Sequence, residues 1–178
     1  MADTASPRRI ADPARLAAVR LMHSVTLGGN ALSDAMMDDW YRSLPPQQRA
    51  RAQRLATAAL RFAKRADQAV RPFMEKAPQP RVMAILRVGV VEAMEYDIPV
   101  HAIVNDYVGI CGQDRKVNNA KGMVNAVLRK AIPAAAEKWR KMGVPTLPKW
   151  IRKAMMDAYG PAAVSRIELS HTLSLIHI

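Results

Sequence analysis

Apolar residues recur at spacings of three and four along almost the whole chain, and no stretch shows the period-two alternation of a half-buried strand. The pattern predicts an all-α fold. Pro13, Pro45-Pro46, Pro72, Pro78, Pro80, Pro99, Pro133, Pro145 and Pro148 punctuate it, several where a helix accepts proline in its first turn. They divide the chain into about six to seven helices.

The first helix is expected from Pro13 to Leu27, with Asp12 as N-cap and Gly28-Gly29-Asn30 as its stop. It places Leu16, Val19, Met22, His23 and Thr26 on overlapping faces. A short second helix follows Ser33. The third and longest begins after Pro45-Pro46, turns Leu55, Ala59, Phe62, Ala66, Ala69 and Phe73 inward, and ends or kinks at Pro72. A fourth, from about Arg81 to Tyr96, carries a broad stripe of Val82, Ile85, Leu86, Gly89, Val90 and Ala93. The fifth opens at Pro99 and ends near Cys111-Gly112. The sixth, from about Asn118 to Ile132, buries Val124, Val127, Leu128 and Ile132 and stacks Lys121, Asn125 and Arg129 four apart on another side. Gly89 and Gly122 each cost about 1 kcal/mol against alanine in a helix, which predicts close helix crossings. Beyond Pro133 the chain reads as a basic tether, then a short helix from about Lys149 to Tyr159 that stops at Gly160.

Composition narrows the class. Of 178 residues, 50% are hydrophobic and 24% charged, the usage of a folded domain rather than a disordered chain. A single cysteine, Cys111, excludes a disulfide framework and a multi-thiolate zinc site and fits a reducing compartment. No apolar run approaches membrane-spanning length and no secretory leader is evident, so the expected location is cytoplasmic, with no membrane partner.

The net charge of +12 points to a polyanionic partner, and its distribution matters more than its size. Residues 51–80 and 111–140 each carry seven basic and two acidic residues, whereas residues 81–110 carry two basic and four acidic. If the third and sixth helices lie side by side, Arg54, Arg61, Arg65, Lys121 and Arg129 form one positive field, with Asn125 as a cap or RNA contact. Arg8, Arg9, Arg15 and Arg20 from the N-terminus would join it. Trp40, Tyr41, Tyr96 and Tyr107 are too scattered for extensive base stacking, so the expected contacts are to RNA phosphates.

Catalytic chemistry is not evident. Gly28-Gly29-Asn30 lacks the following Lys-Ser/Thr and the preceding strand of a phosphate loop, and reads as a helix stop. His23 and His101 belong to no metal-spaced pair. Cys111 reads as an inert small hydrophobe, and Asp38-Asp39 and Glu92/Glu95 have no third ligand. No catalytic, metal or cofactor-binding residue is assigned.

PRVMAILRVGVVEAMEYDIPVHAIVNDYVGI, followed by NNAKGMVNAVLRKA, resembles the NusB-type helical domain, and more specifically the N-terminal domain of RsmB/Sun-type bacterial methyltransferases. Ile85, Leu86, Arg87, Gly89, Pro99, His101, Asn105 and Val108 carry the likeness, with Lys121-Gly122 and Val124 to Arg129. ARLAAVRLMHSV and RLATAALRFAKRAD agree with it. The likeness covers about residues 13–160. It implies a helical bundle of two packed subdomains that binds RNA and places a separate catalytic domain on small-subunit ribosomal RNA. That catalytic domain would form 5-methylcytosine with S-adenosylmethionine and a Pro-Cys cysteine, and none of these features is present in this chain.

The resulting organisation is a flexible basic arm over 1–12, the RNA-binding helical domain over 13–136, and a linker and helix over 137–170 leading towards a methyltransferase domain. Residues 171–178 are expected to be a non-native tail, because Leu173 to Ile178 match a one-frame translation of a sequencing-library adaptor. The alternative is a stand-alone antitermination factor of the NusB type that binds RNA with a protein partner. A helix-turn-helix DNA binder fits less well, since Gly112 to Asn118 makes no clean short turn.

Overall fold

The computed structural model of the protein describes residues 11–96 and 98–171, and their regular structure is entirely helical. The helices are α1 (Pro13–Gly28), α2 (Leu32–Ala35), α3 (Asp39–Arg42), α4 (Pro46–Arg61), α5 (Ala63–Val70), α6 (Pro80–Glu95), α7 (Val100–Gln113), α8 (Lys121–Ala136) and α9 (Lys149–Ser170). Three short 3₁₀ turns follow α5, precede α8 and follow α8. Arg8, Arg9, almost all of the N-terminal arm and residues 172–178 lie outside the described residues.

The first helix starts and stops where its local chemistry requires. The Asp12 carboxylate accepts from the backbone N–H groups of Ala14 (2.9 Å) and Arg15 (3.2 Å), and Pro13 occupies the position whose N–H needs no partner. At the other end Gly29 takes φ +68°, the left-handed conformation open to glycine. Helix α1 packs on α4, and Ala14, Ala17 and Ala18 of the first and Ala52, Ala56 and Ala59 of the second are all buried.

The α6 helix is the centre of the fold. Val82, Ala84, Ile85, Leu86, Val88, Gly89, Val90, Val91 and Glu92 are all buried, and through its middle turns only Arg87 keeps partial exposure. On one side α1 and α4 pack against it, on the other α7 and α8, while α5 bridges α6 and α8. The two expected subdomains thus share one core through α6. At Gly89 a Cβ would stand 3.2 Å from Tyr107 Cδ2 and 3.3 Å from Leu128 Cδ2, so its missing side chain admits α7 and α8. The parallel expectation for Gly122 does not hold: it is exposed at the start of α8, with nothing near its would-be Cβ.

Two boundaries differ from the sequence reading. The long third helix divides at Phe62, where φ −100° and ψ 17° break the helical path into α4 and α5. Phe62 is buried there and packs against Trp139, with 6.0 Å between ring centroids. Pro133 does not end α8, which continues to Ala136 with the proline exposed. Gly160, at φ 77° and ψ 161°, ends the helical run begun at Lys149 as expected, and a second run, included in α9, continues to Ser170. Where one short helix was expected after Ser33, two four-residue helices stand.

The segment between α8 and α9 is fastened to the bundle. Lys64 Nζ donates to the carbonyl and hydroxyl oxygens of Thr146, each at 3.1 Å, and the Arg65 guanidinium donates to the carbonyls of Met142 and Gly143. The Glu168 carboxylate accepts from Leu147 N–H (2.9 Å) and Arg152 Nε (2.8 Å), closing α9 back on that segment. Trp150 and Tyr159 remain highly exposed along α9.

Candidate nucleic-acid interface

Cations expected on one wall divide into an internal one, two groups at opposite ends of α6, and one residue between them. Arg15 is the internal one. It lies on the stripe shared with Ala18, Val19 and Met22, it is 7% exposed, and its guanidinium donates to Glu92 Oε2 at 2.8 Å and to Asp106. Burial opposes its charge, but these carboxylates overcome that and raise its pKa further. Arg51 adds bridges to Asp12 (2.6 Å) and Glu92 (3.3 Å), and the Tyr107 hydroxyl donates to Glu92 at 2.7 Å. The expected phosphate contact by Arg15 is therefore corrected: a buried guanidinium satisfied by two acids holds α1 to α6 and α7. Its three- and four-residue spacing from the apolar positions of α1 was the available signal.

One group gathers where α6 begins and α7 ends. There Arg20, Arg81, Arg115 and Trp40 border a groove of about 580 Å³ together with His23 and Asp114. The Arg20 guanidinium stands over the Trp40 ring at 5.5 Å, Trp40 Nε1 donates to Asp38 at 2.9 Å, and Arg81 pairs with Asp114 at 3.1 Å. Burial and the nearby Arg81 hold the His23 pKa below its ordinary value. Lys121 is adjacent, its aliphatic stem lying against Gly112. Sequence reasoning missed Arg81 and Arg115, because the groove joins four segments distant in sequence and neither residue belongs to a basic run on one helix face.

A second group lies near the far end of α6. Arg54 covers the Tyr96 ring at 5.5 Å, with Arg61 close enough to act on the same phenol. Arg65 stands over Phe62 and Trp139 besides holding the 142–143 carbonyls, and burial lowers its pKa. From Arg81 to Tyr96 is about 22 Å at the helical rise, so these residues do not join the first group in a single patch. The required side-by-side packing also fails for α4. Helix α5 packs on α8, whereas α4 packs on α1 and α6. Between the two groups, Arg129 is exposed on α8 and its Nε donates to Asn125 Oδ1 at 2.9 Å, which gives Asn125 an orienting role.

Charge pairing separates structural from available cations. Ion pairs among the described residues engage Arg15, Arg51, Arg81, Arg87 and Arg152, whereas Arg20, Arg54, Arg61, Arg65, Lys121 and Arg129 take part in none of them. Arg20, Arg54, Lys121 and Arg129 are exposed as well, as are Arg115, which shares the groove with Arg20, and its neighbour Lys116.

The cysteine is held in a structural role. Cys111 is fully buried, its thiol donates to the Val117 carbonyl at 3.1 Å, and burial raises its pKa, all of which suppress thiolate chemistry. No group of acids, histidines and cysteine among the described residues could hold a metal ion, and no described helix is long and apolar enough to cross a membrane.

Comparison with known proteins agrees with this all-helical architecture. Residues 12–133 match the NusB family. Proteins named ribosomal RNA small subunit methyltransferase B are similar to the chain. That of Xanthomonas campestris is 30% identical over 158 residues, covering 84% of this chain and 34% of the relative. That of Pseudomonas putida is 31% identical over 149 residues, covering 79% and 34%. That of Thermus thermophilus is 31% identical over 153 residues, covering 84% and 36%. The chain thus spans about a third of the length of the curated relatives it matches.

Proposed function

This chain belongs to the NusB family, and we propose that it is the RNA-binding part of a ribosomal RNA cytosine-5 methyltransferase, seating the enzyme on small-subunit rRNA. The observation that carries the proposal is the family match together with exposed cations near the α6–α7 end that no acid neutralises. Arg20, Arg115, Lys116 and Lys121 contact phosphates there in this reading, and Arg129 does so farther along α8. Arg54 and Arg61 form a secondary contact, and Asn125 orients Arg129. Arg8 and Arg9 keep their proposed phosphate role from sequence alone, while Arg15 and Arg65 serve the fold.

Similarity to the methyltransferases covers 79–84% of the chain, more than the NusB region occupies, which favours this reading over a stand-alone antitermination factor with a protein partner. The 137–170 segment then leads from the RNA seat towards the catalytic domain, in the cytoplasm. The parent enzyme would use S-adenosylmethionine as methyl donor. The described residues do not fit that cofactor, because Gly28 and Gly29 terminate a helix instead of joining a strand to one. No chemical step is assigned to them.

Fluorescence anisotropy of a labelled single-stranded rRNA segment at several salt concentrations tests the binding. With about five phosphates neutralised, log affinity falls against log salt with a slope of about −3.5. A salt-independent affinity overturns the reading. Genomic DNA downstream of codon 170 separates enzyme from factor: an open frame carrying a Pro-Cys motif supports the first, and an in-frame stop supports the second.

A further inference from the structure

The groove beside α1 holds more than a phosphate seat needs. Its floor includes Leu16, Val19, Ile85 and Ile110, its wall is the Arg20–Trp40 stack, and Arg81 and Arg115 stand at its border. A volume of about 580 Å³ lies within the range of pockets that enclose a small organic ligand. An apolar floor suits a flat heterocycle, RNA bases stack on aromatic rings and on guanidinium planes, and cations at the rim suit the phosphate attached to that heterocycle.

We propose that this groove receives a single unpaired nucleotide, its base against the Arg20–Trp40 wall and its phosphate beside Arg115. The inference rests on the RNA-binding reading and adds to it a subsite for one base. Arg81 is held by Asp114 and so positions the rim, while Arg115 has no ion-pair partner among the described residues. The base contact is stacking rather than charge neutralisation, so it contributes affinity without adding to the salt dependence.

The test uses the full chain and a labelled RNA hexamer, alongside a duplex RNA with the same strand. Gln113→Trp fills the groove from an exposed position at the end of α7, and Trp40→Leu removes the stacking wall. Arg129→Ala removes a proposed phosphate contact outside the groove. Each groove variant is expected to weaken hexamer binding about tenfold with the salt slope unchanged, and to leave duplex binding within about twofold. Arg129→Ala is expected to weaken both RNAs alike and to make both salt slopes shallower. Equal losses on hexamer and duplex from the groove variants overturn the nucleotide pocket, as does hexamer affinity unmoved by both, which would leave the groove to a peptide. If the unaltered chain binds neither RNA, the RNA-binding reading falls and takes the pocket with it. Circular dichroism of each variant separates a lost contact from a lost fold.

Discussion

Replacing Glu92 with glutamine removes the charge at the centre of the fold while keeping its shape. The native carboxylate is 1% exposed and accepts from Arg15, Arg51 and the Tyr107 hydroxyl. Glutamine retains one carbonyl acceptor, so Arg15, only 8% exposed at its side chain, is left with Asp106 as its sole acid. Breaking a buried pair from one side typically costs about 3–5 kcal/mol. Arg51 is a third exposed, so its share is largely screened, and the expected loss is near the lower bound, about 3 kcal/mol. For a domain of this size that corresponds to a Tm decrease of about 6–12 °C by circular dichroism. Combining Glu92→Leu with Arg15→Met removes both buried charges, and should cost about 2 kcal/mol less than the two single changes summed. A loss below about 1 kcal/mol for Glu92→Gln, or strict additivity in the pair, would refute a linked network joining α1, α6 and α7.

Gly89→Val should destabilise by about 1–3 kcal/mol in urea unfolding, because the new methyls meet Tyr107 and Leu128; an unchanged midpoint contradicts that crossing. Burial and Glu92 raise the Tyr107 pKa, so the folded state holds its proton above pH 10, where the unfolded phenol loses it. Stability present below about pH 10 is therefore lost on further alkalinisation, and Tyr107→Phe should flatten that decline. Asp12 and Glu168 are both shifted down, Asp12 by its backbone hydrogen bond and Arg51 against the opposing effect of burial, Glu168 chiefly by Arg152. Their contribution is present above the ordinary carboxylate range and disappears as pH falls through the lowered values, so Glu168→Gln should reduce the acid-side slope. Arg65→Ala frees the 142–143 carbonyls, and limited proteolysis should then cut the 142–148 segment several-fold faster; an unchanged rate means that the segment is not held there.

Much of this fold is written in local signals. Asp12, Pro13 and Gly29 bound α1, and the unbroken stripe from Val82 to Ala93 identifies a helix buried on nearly every side. Breaks without a breaker residue were not legible: Phe62 divides α4 from α5 through tertiary packing on Trp139, which no propensity encodes. Pro133 misled in the opposite direction, since an exposed proline in an otherwise well-packed helix can be tolerated where its lost hydrogen bond faces solvent. At the candidate interface, charge counting located basic stretches but not their partners. Arg15 looked like an outer cation although its spacing placed it inward, and the groove became visible only when α1, α6 and the end of α7 met.

The central claim is that exposed cations at the α6–α7 end form the seat for RNA, and charge reversal at one of them tests it most directly. Arg115→Glu, measured by anisotropy against single-stranded small-subunit rRNA, should weaken binding at least tenfold at low salt and make the salt slope shallower by more than one phosphate contact's worth, about 0.7. Arg152→Glu would disturb the Glu168 pair, so the control is Arg140→Glu, exposed beyond α8, with little expected effect. If Arg115→Glu binds as tightly as the unaltered chain with the same slope, the RNA seat is not at this end of the bundle.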